Sequence, residues 1–69
     1  MIQLYSRVQL IGDKYKEDGA CNDMIGYVIE TYGDGKYEVE FSTPQGISLA
    51  QLVIDEKDLR LAPEPQKEH

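Results

Sequence analysis

Hydrophobic and polar positions alternate along much of the chain, and this spacing predicts β-strands. The clearest case is the segment YEVEFS, where Tyr37, Val39 and Phe41 share one face while Glu38 and Glu40 share the other. A period of two is that of a strand with one buried side. No segment repeats its apolar residues at helical spacing, so no substantial helix is expected.

The first strand is predicted at Met1 to Ile11, with Val8 and Leu10 on its buried side. Gly12 to Asp23 follows, rich in Gly, Asp, Lys and Asn and without apolar periodicity. These residues predict a long loop, which is unusual in so small a domain.

A second strand is predicted at Met24 to Tyr32, a segment dense in β-branched and aromatic residues. Gly26 within it predicts a bulge or a close approach of two backbones. The glycine leaves open whether Val28 or Ile29 is the inward residue. We expect Val28 to point inward, with a twist or bulge near Gly26 that lets Ile29 pack at the edge.

Turn residues divide the remainder of the chain. Gly33 to Lys36 contains Asp-Gly between two strand patterns, which predicts a tight hairpin because glycine tolerates positive φ. Further strands are predicted at Ile47 to Ile54 and Leu59 to Leu61, after turns at 43–46 and 55–58, the latter with 3₁₀ character.

The expected fold is therefore all-β: a small five-stranded barrel with a long loop after the first strand, spanning residues 1–62. Closing short strands into a barrel removes exposed edges. From residue 63 the chain has no apolar side chain, so residues 63–69 are predicted to form a disordered tail.

The order of these signals resembles an SH3-like barrel, an arrangement also seen in ribosomal KOW-type barrels and the nitrile hydratase β subunit. The residues that carry the resemblance are Val8 and Leu10, Gly26 and Val28, Tyr37, Val39 and Phe41, and the closing pair Asp58 and Leu59.

Residues 2–61 also resemble a family of uncharacterised bacterial proteins of about this length. The matching motifs are Leu4, Tyr5, Arg7 and Val8 in the first strand, Gly26, Val28, Ile29, Glu30 and Tyr32 in the second, and Tyr37 to Phe41 in the third. The resemblance implies the fold and supplies no catalytic residues. Small acidic proteins of this type look like the immunity or antitoxin partners of bacterial toxins.

Charge narrows the possible partners. The chain has 13 acidic and 7 basic residues, a formal charge of -6, with its basic residues scattered. Nucleic-acid affinity depends on clustered cations, so no nucleic-acid partner is expected, and a basic protein is favoured instead. No apolar run is long enough for a signal peptide or a membrane span, so we expect a cytoplasmic protein without a membrane partner.

Catalysis, a metal and a cofactor are not expected. Cys21 and His69 are the only residues of their types, and His69 lies at the end of the predicted tail. Zinc needs four ligands, and a nucleophile needs a firmly held base. The long loop carries oxygen ligands, but their spacing does not match a calcium loop; they are Asp13, Glu17, Asp18, Asn22 and Asp23.

The candidate binding site is an acidic surface flanked by tyrosines around the hairpin. Acidic side chains steer a basic partner, and tyrosine supplies contact area. Its residues are Glu30, Asp34, Glu38, Glu40, Tyr27 and Tyr32. We expect a non-catalytic protein-binding module, an immunity or antitoxin protein that blocks a basic toxin such as a nuclease. The alternative is an accessory or structural subunit of a larger enzyme.

Overall fold

The computed structural model describes residues 1–63, and within them the fold is all-β, as predicted. No α-helix occurs in this part of the chain. Two short 3₁₀ turns, Lys16–Asp18 and Glu56–Asp58, lie in the long loop and before the last strand. The strands are β1 (Arg7–Leu10), β2 (Ile25–Thr31), β3 (Lys36–Ser42), β4 (Ser48–Asp55) and β5 (Leu59–Leu61).

All five strands belong to one antiparallel sheet in the order β4-β3-β2-β1-β5. The last strand pairs with the first, and the backbone N–H of Ile11 donates to the carbonyl of Asp58 at 2.8 Å beyond that ladder. Among residues 1–63 no ladder joins β4 to β5, so closure of the sheet into a barrel stays a prediction.

The core lies on one face of this sheet and consists almost entirely of the alternating apolar residues. Tyr37, Val39 and Phe41 are buried along β3, as the spacing predicts. Ala20 adds a buried side chain from the long loop. The largest fully buried side chains are Phe41, Leu10, Ile54, Val8, Val28 and Val39.

The prediction that the first strand starts at Met1 is wrong, because the chain turns sharply before Arg7. Tyr5 has a φ of 68°, in the left-handed region, which ends any extended run through it. The preceding residues fold back instead, so that Ile2 is buried and its N–H donates to the Tyr37 hydroxyl at 3.1 Å. Leu4, which shares the parity of Val8 in the sequence, is exposed.

In β2 the glycine marks a close approach rather than a bulge. A Cβ on Gly26 would lie 2.7 Å from the carbonyl oxygen of Glu40 and 2.8 Å from side-chain atoms of Phe41 and Val39. The register shift occurs two residues later, between Val28 and Glu30. The bulge therefore lies beyond the glycine rather than at it, and Val28 points inward as predicted.

The later boundaries differ by a residue or less from the predicted ones. The fourth strand starts at Ser48 because Ile47 belongs to the preceding turn, where its N–H donates to the Thr43 hydroxyl and its carbonyl accepts from the Thr43 N–H. The 3₁₀ turn at Glu56–Asp58 and the strand at Leu59–Leu61 are confirmed. The predicted tail falls, apart from Pro63, outside the described residues.

The long loop is fastened to the sheet by side chains. The Tyr15 hydroxyl donates to Oδ2 of Asp58 at 3.0 Å and accepts from the N–H of Asp55 at 3.3 Å. The loop thereby reaches the last turn of the fold although no ladder includes it. No helix among residues 1–63 has the length and apolar character needed to cross a membrane.

Candidate protein-binding face

The outer face of β2, β3 and β4 is built by the register of the ladders. Tyr27 lies opposite Glu40, and Glu30 lies opposite Glu38, because the second pair follows the register shift in β2. Tyr27, Glu38 and Glu40 alternate with the buried residues of their strands and so point away from the core. Glu30 shares the parity of buried Val28, and the register shift between them turns it to the outer side. We call this surface the acidic face. It consists of Tyr27, Glu30, Glu38, Glu40, and the β4 residues Gln51 and Val53.

Glu38 is the most constrained carboxylate of the acidic face. The Tyr32 hydroxyl donates to its Oε1, and Nε2 of Gln51 donates to its Oε2 at 2.7 Å. These hydrogen bonds, that from Tyr32 first, hold the pKa of Glu38 below its usual range because they favour the charged form. The same contact raises the pKa of the Tyr32 hydroxyl. The charge at this position is therefore held in place by its own neighbours.

The acidic face carries more negative charge than its own residues neutralise. Glu30 and Glu38 are direct cross-strand partners, an arrangement of like charges that costs stability. No ion pair within residues 1–63 involves Glu30, Glu38 or Glu40. The side chains of Glu38 and Glu40 are partly covered by neighbouring residues.

Asp34 lies apart from these carboxylates. It is exposed at the tip of the hairpin, between Gly33 and Gly35, whose φ values of 83° and 82° require glycine-like freedom. Its charge acts on Lys36, whose pKa is raised chiefly by a hydrogen bond to Asp55 and to a smaller extent by Asp34. Of the predicted site residues, Tyr32 and Asp34 lie outside the strand ladders. Tyr32 contacts the acidic face through its hydrogen bond to Glu38, whereas Asp34 is not part of that face.

The register adds to this surface three residues that alternation along the chain does not reveal. Gln51 and Val53 on β4 lie opposite Glu40 and Glu38, and Val53 is 47% exposed. Arg7 on β1 lies opposite Tyr27, on the side away from Glu40. Counting charges along the chain cannot find such neighbours, since they meet only once four strands are placed side by side.

A groove of about 590 Å³ opens beside Tyr27 on the same side of the sheet. Its mostly apolar wall is formed by Arg7, Ile25, Tyr27 and Ser42, and by the turn that joins β3 to β4. The guanidinium of Arg7 donates to the carbonyl of Pro63, which positions it at one side of the groove.

The other charged cluster of the described chain has a structural role. Lys14 and Lys36 both pair with Asp55, and Lys14 also lies 3.7 Å from Asp58. The pKa of Asp55 is lowered, first by the hydrogen bond from Lys36 and next by that from Lys14. These pairs join the long loop, the hairpin and the second 3₁₀ turn.

Polar side chains of the long loop also accept hydrogen bonds from its own backbone. Oδ1 of Asp13 accepts from the N–H of Asn22 at 3.1 Å, and Oδ1 of Asn22 accepts from the N–H of Gly12 at 2.6 Å. Within residues 1–63 no group of three or more carboxylate, histidine or cysteine side chains is arranged to hold a metal ion.

Comparison with known proteins identifies the family of this chain. The sequence model of the family described as "Domain of unknown function (DUF4926)" matches residues 4–61, which include all five strands, and the chain belongs to that family. No curated protein and no solved structure matches the chain.

Proposed function

We propose that this member of the DUF4926 family is a non-catalytic protein-binding module whose acidic face covers a basic surface of a partner protein. The specific form that we propose is an immunity or antitoxin protein that blocks a basic toxin such as a nuclease. Its site consists of Glu30, Glu38 and Glu40 together with Tyr27 and Tyr32.

The observation that carries the proposal is the uncompensated pair Glu30 and Glu38, directly opposite each other on neighbouring strands. Like charges in this position destabilise the free protein, and a partner cation placed over them would relieve the repulsion. The Tyr32 and Gln51 hydrogen bonds to Glu38 add to this effect because they prevent the carboxylate from turning away.

The apolar members of the same face favour a protein over a small cation. Tyr27 is 38% exposed beside Glu40, and Val53 is exposed beside Glu38. Protein interfaces combine such buried aromatic and aliphatic contacts with a polar rim. Carboxylates at phosphate-like positions would also suit occlusion of a nuclease cleft, which is lined by cations that bind a nucleic-acid backbone.

The decisive experiment uses the protein encoded next to this chain's gene as the probe. If the proposal holds, that protein is toxic on its own, and co-expression of this chain restores growth. The two purified proteins then form a complex of fixed stoichiometry. The activity of the toxic protein falls in proportion to the amount of this chain added. A neighbour that is an inactive enzyme subunit, and gains activity on addition of this chain, would overturn the antitoxin form and establish an accessory subunit instead.

A further inference from the structure

The groove beside Tyr27 has the cation Arg7 in its wall, and the acidic face adjoins it at Tyr27, which belongs to both. Tyr27 on β2 has a paired residue on each neighbouring strand. These residues are Arg7 on β1 and Glu40 on β3. Directly opposed residues of an antiparallel pair have Cβ atoms about 5 Å apart. A side chain seated against Tyr27 is therefore within reach of both charges.

The shape and lining of the groove suit an aromatic side chain. Its volume of about 590 Å³ falls in the usual range for a ligand cleft, and much of its wall is apolar. The exposed ring of Tyr27 offers a stacking surface, and the guanidinium of Arg7 offers a cation for the face of an inserted ring. Arg7 is held by its hydrogen bond to Pro63, so little ordering of this side chain is needed on binding.

The charges around the groove determine which residue of the partner should lie next to that aromatic side chain. Arg7 is a single cation, whereas the β3 side presents Glu40 and, one pair further along, the opposed Glu30 and Glu38. The acidic side therefore outweighs the basic side, and a cationic residue next to the aromatic one is favoured there.

We infer that this groove receives an aromatic side chain of the basic partner, with an adjacent arginine or lysine directed at Glu40. The inference rests on the proposed function for the identity of the partner as a basic protein. It adds the anchoring contact, the pocket that the contact fills, and the direction in which the partner segment crosses the sheet. Aromatic anchors in pockets of this kind often dominate the affinity of an interface.

The groove can be tested without the natural partner, using short capped peptides and the ¹⁵N-labelled full chain. The probe is N-acetyl-tryptophanyl-arginine amide; the charge control is N-acetyl-tryptophanyl-glutamate amide, and the aromatic control is N-acetyl-alanyl-arginine amide. We expect the probe to shift the amide signals of Ile25, Tyr27, Ser42 and Gly46. The tryptophanyl-glutamate peptide should bind about two- to fivefold more weakly, the effect of one exposed ion pair.

Variants of the chain separate the two parts of the contact. Tyr27→Ala should abolish the shifts, whereas Tyr32→Ala, a change at an exposed tyrosine outside the groove, should preserve them. Glu40→Gln should keep tryptophan binding but remove the preference for arginine over glutamate. Ser42→Phe, which fills the groove from its own wall, provides a second way to block it if Tyr27→Ala does not fold.

The inference is overturned if the arginine probe does not bind, if its shifts fall elsewhere, or if alanyl-arginine binds as well as tryptophanyl-arginine. Equal binding of the two tryptophan peptides would overturn the role of Glu40. Failure of the proposed function looks different, because the groove would bind the probe while the neighbouring gene product would not bind the chain. A genuine protein complex that Tyr27→Ala and Ser42→Phe leave unchanged would overturn the groove alone.

Discussion

The Tyr37 hydroxyl donates a hydrogen bond of 2.9 Å to Oε1 of Glu56, linking the middle of the sheet to the 3₁₀ turn before the last strand. The same oxygen accepts the N–H of Ile2 at 3.1 Å. One phenol thus connects three segments that are distant in sequence. It also holds the segment before β1 against the core after the turn at Tyr5.

Tyr37→Phe should therefore loosen the segment before β1 without disturbing β3, whose ring packing it preserves. The change leaves a buried N–H without its acceptor, and we expect a loss of about 1–3 kcal/mol in the free energy of unfolding. Chemical denaturation measures the loss, and hydrogen exchange at Ile2 should accelerate. Tyr32→Phe, which also removes a hydroxyl but at an exposed position, is the control and should cost less. Equal stability of Tyr37→Phe and the natural chain would contradict the link.

Gly26→Ala should destabilise the sheet strongly for one added methyl group. The new Cβ would overlap the carbonyl of Glu40, a backbone atom that cannot rotate away, and the side chains of Val39 and Phe41. Overpacking of this kind costs about 1–3 kcal/mol, and thermal or urea unfolding would detect it. Gly33→Asn is the comparison, because space is open there and asparagine tolerates the left-handed conformation. A Gly26→Ala variant as stable as the natural chain would disprove the close approach.

Acid should weaken the fold through Asp55. Its pKa is lowered in the folded state, so the pairing stabilises the fold fully above the unfolded pKa of about 3.9. That contribution is lost as the pH falls through the lower, folded value. Asp55→Asn should reduce the melting temperature at neutral pH and flatten its fall between about pH 5 and pH 2.

The control for the acid experiment is Asp34→Asn at the exposed tip of the hairpin. This variant should retain the acid sensitivity of the natural chain. If Asp55→Asn and Asp34→Asn give the same melting curve across the pH series, the ion pairs of Lys14 and Lys36 do not stabilise the fold.

Charge reversal on the acidic face should slow association with the partner. The register identifies Glu30 and Glu40 as the suitable pair, since replacing Glu38 would also break its hydrogen bonds to Tyr32 and Gln51. Glu30→Lys with Glu40→Lys should lower the association rate about tenfold at low salt and weaken its salt dependence.

The matched control is Glu17→Lys with Asp18→Lys, on the exposed 3₁₀ turn of the long loop. It changes the net charge by the same amount at another part of the molecule. Surface plasmon resonance at two salt concentrations compares the two double variants. Slower association in the loop variant alone would move the interface to the long loop.

Nucleic acid should not bind appreciably at physiological salt. Arg7 and Arg60 lie on the same outer face of the sheet. Arg60, however, donates a hydrogen bond to Gln9, and its guanidinium lies 3.9 Å from the carboxylate of Asp23. The chain as a whole has more acidic than basic residues. Fluorescence anisotropy with labelled RNA and DNA should show no saturable binding. A sub-micromolar affinity would contradict the inference that the negative net charge prevents nucleic-acid binding. It would favour a role like that of the KOW-type barrels.

The parts of the fold that sequence predicts well are those governed by local alternation and turn chemistry. Tyr37, Val39 and Phe41 alternate with polar residues and are buried as predicted, and the hairpin at Gly33 to Lys36 follows from its glycines. The start of the first strand differs from the predicted one because the chain turns between Gln3 and Ser6, and Ile2 then contacts Tyr37, 35 residues away. Alternation carries no information about such a contact.

In the candidate site too, sequence predicts the features within one strand and does not predict the contacts between strands. Glu38 and Glu40 are placed on one face by spacing within a single strand, whereas the contact of Glu38 with Gln51 requires the β3–β4 register. The bulge after Val28 decides that Glu30, not Ile29, lies opposite Glu38. Arg7 reaches Tyr27 only through the pairing of β1 with β2, so the mixed charge around the groove is a property of the sheet.

The fastening of the long loop at Tyr15 and Ala20 makes the stretch between them a place for engineering. Tyr15 is held by Asp55 and Asp58, and Ala20 is buried, while Lys16, Glu17 and Asp18 extend into solvent. Doubling the length of a flexible loop costs only about 0.6 kcal/mol in closure entropy. A peptide tag or fluorophore-binding sequence grafted between Glu17 and Asp18 would therefore leave both anchors in place. It would report on complex formation from the exposed 3₁₀ turn of the long loop, which is not part of the acidic face.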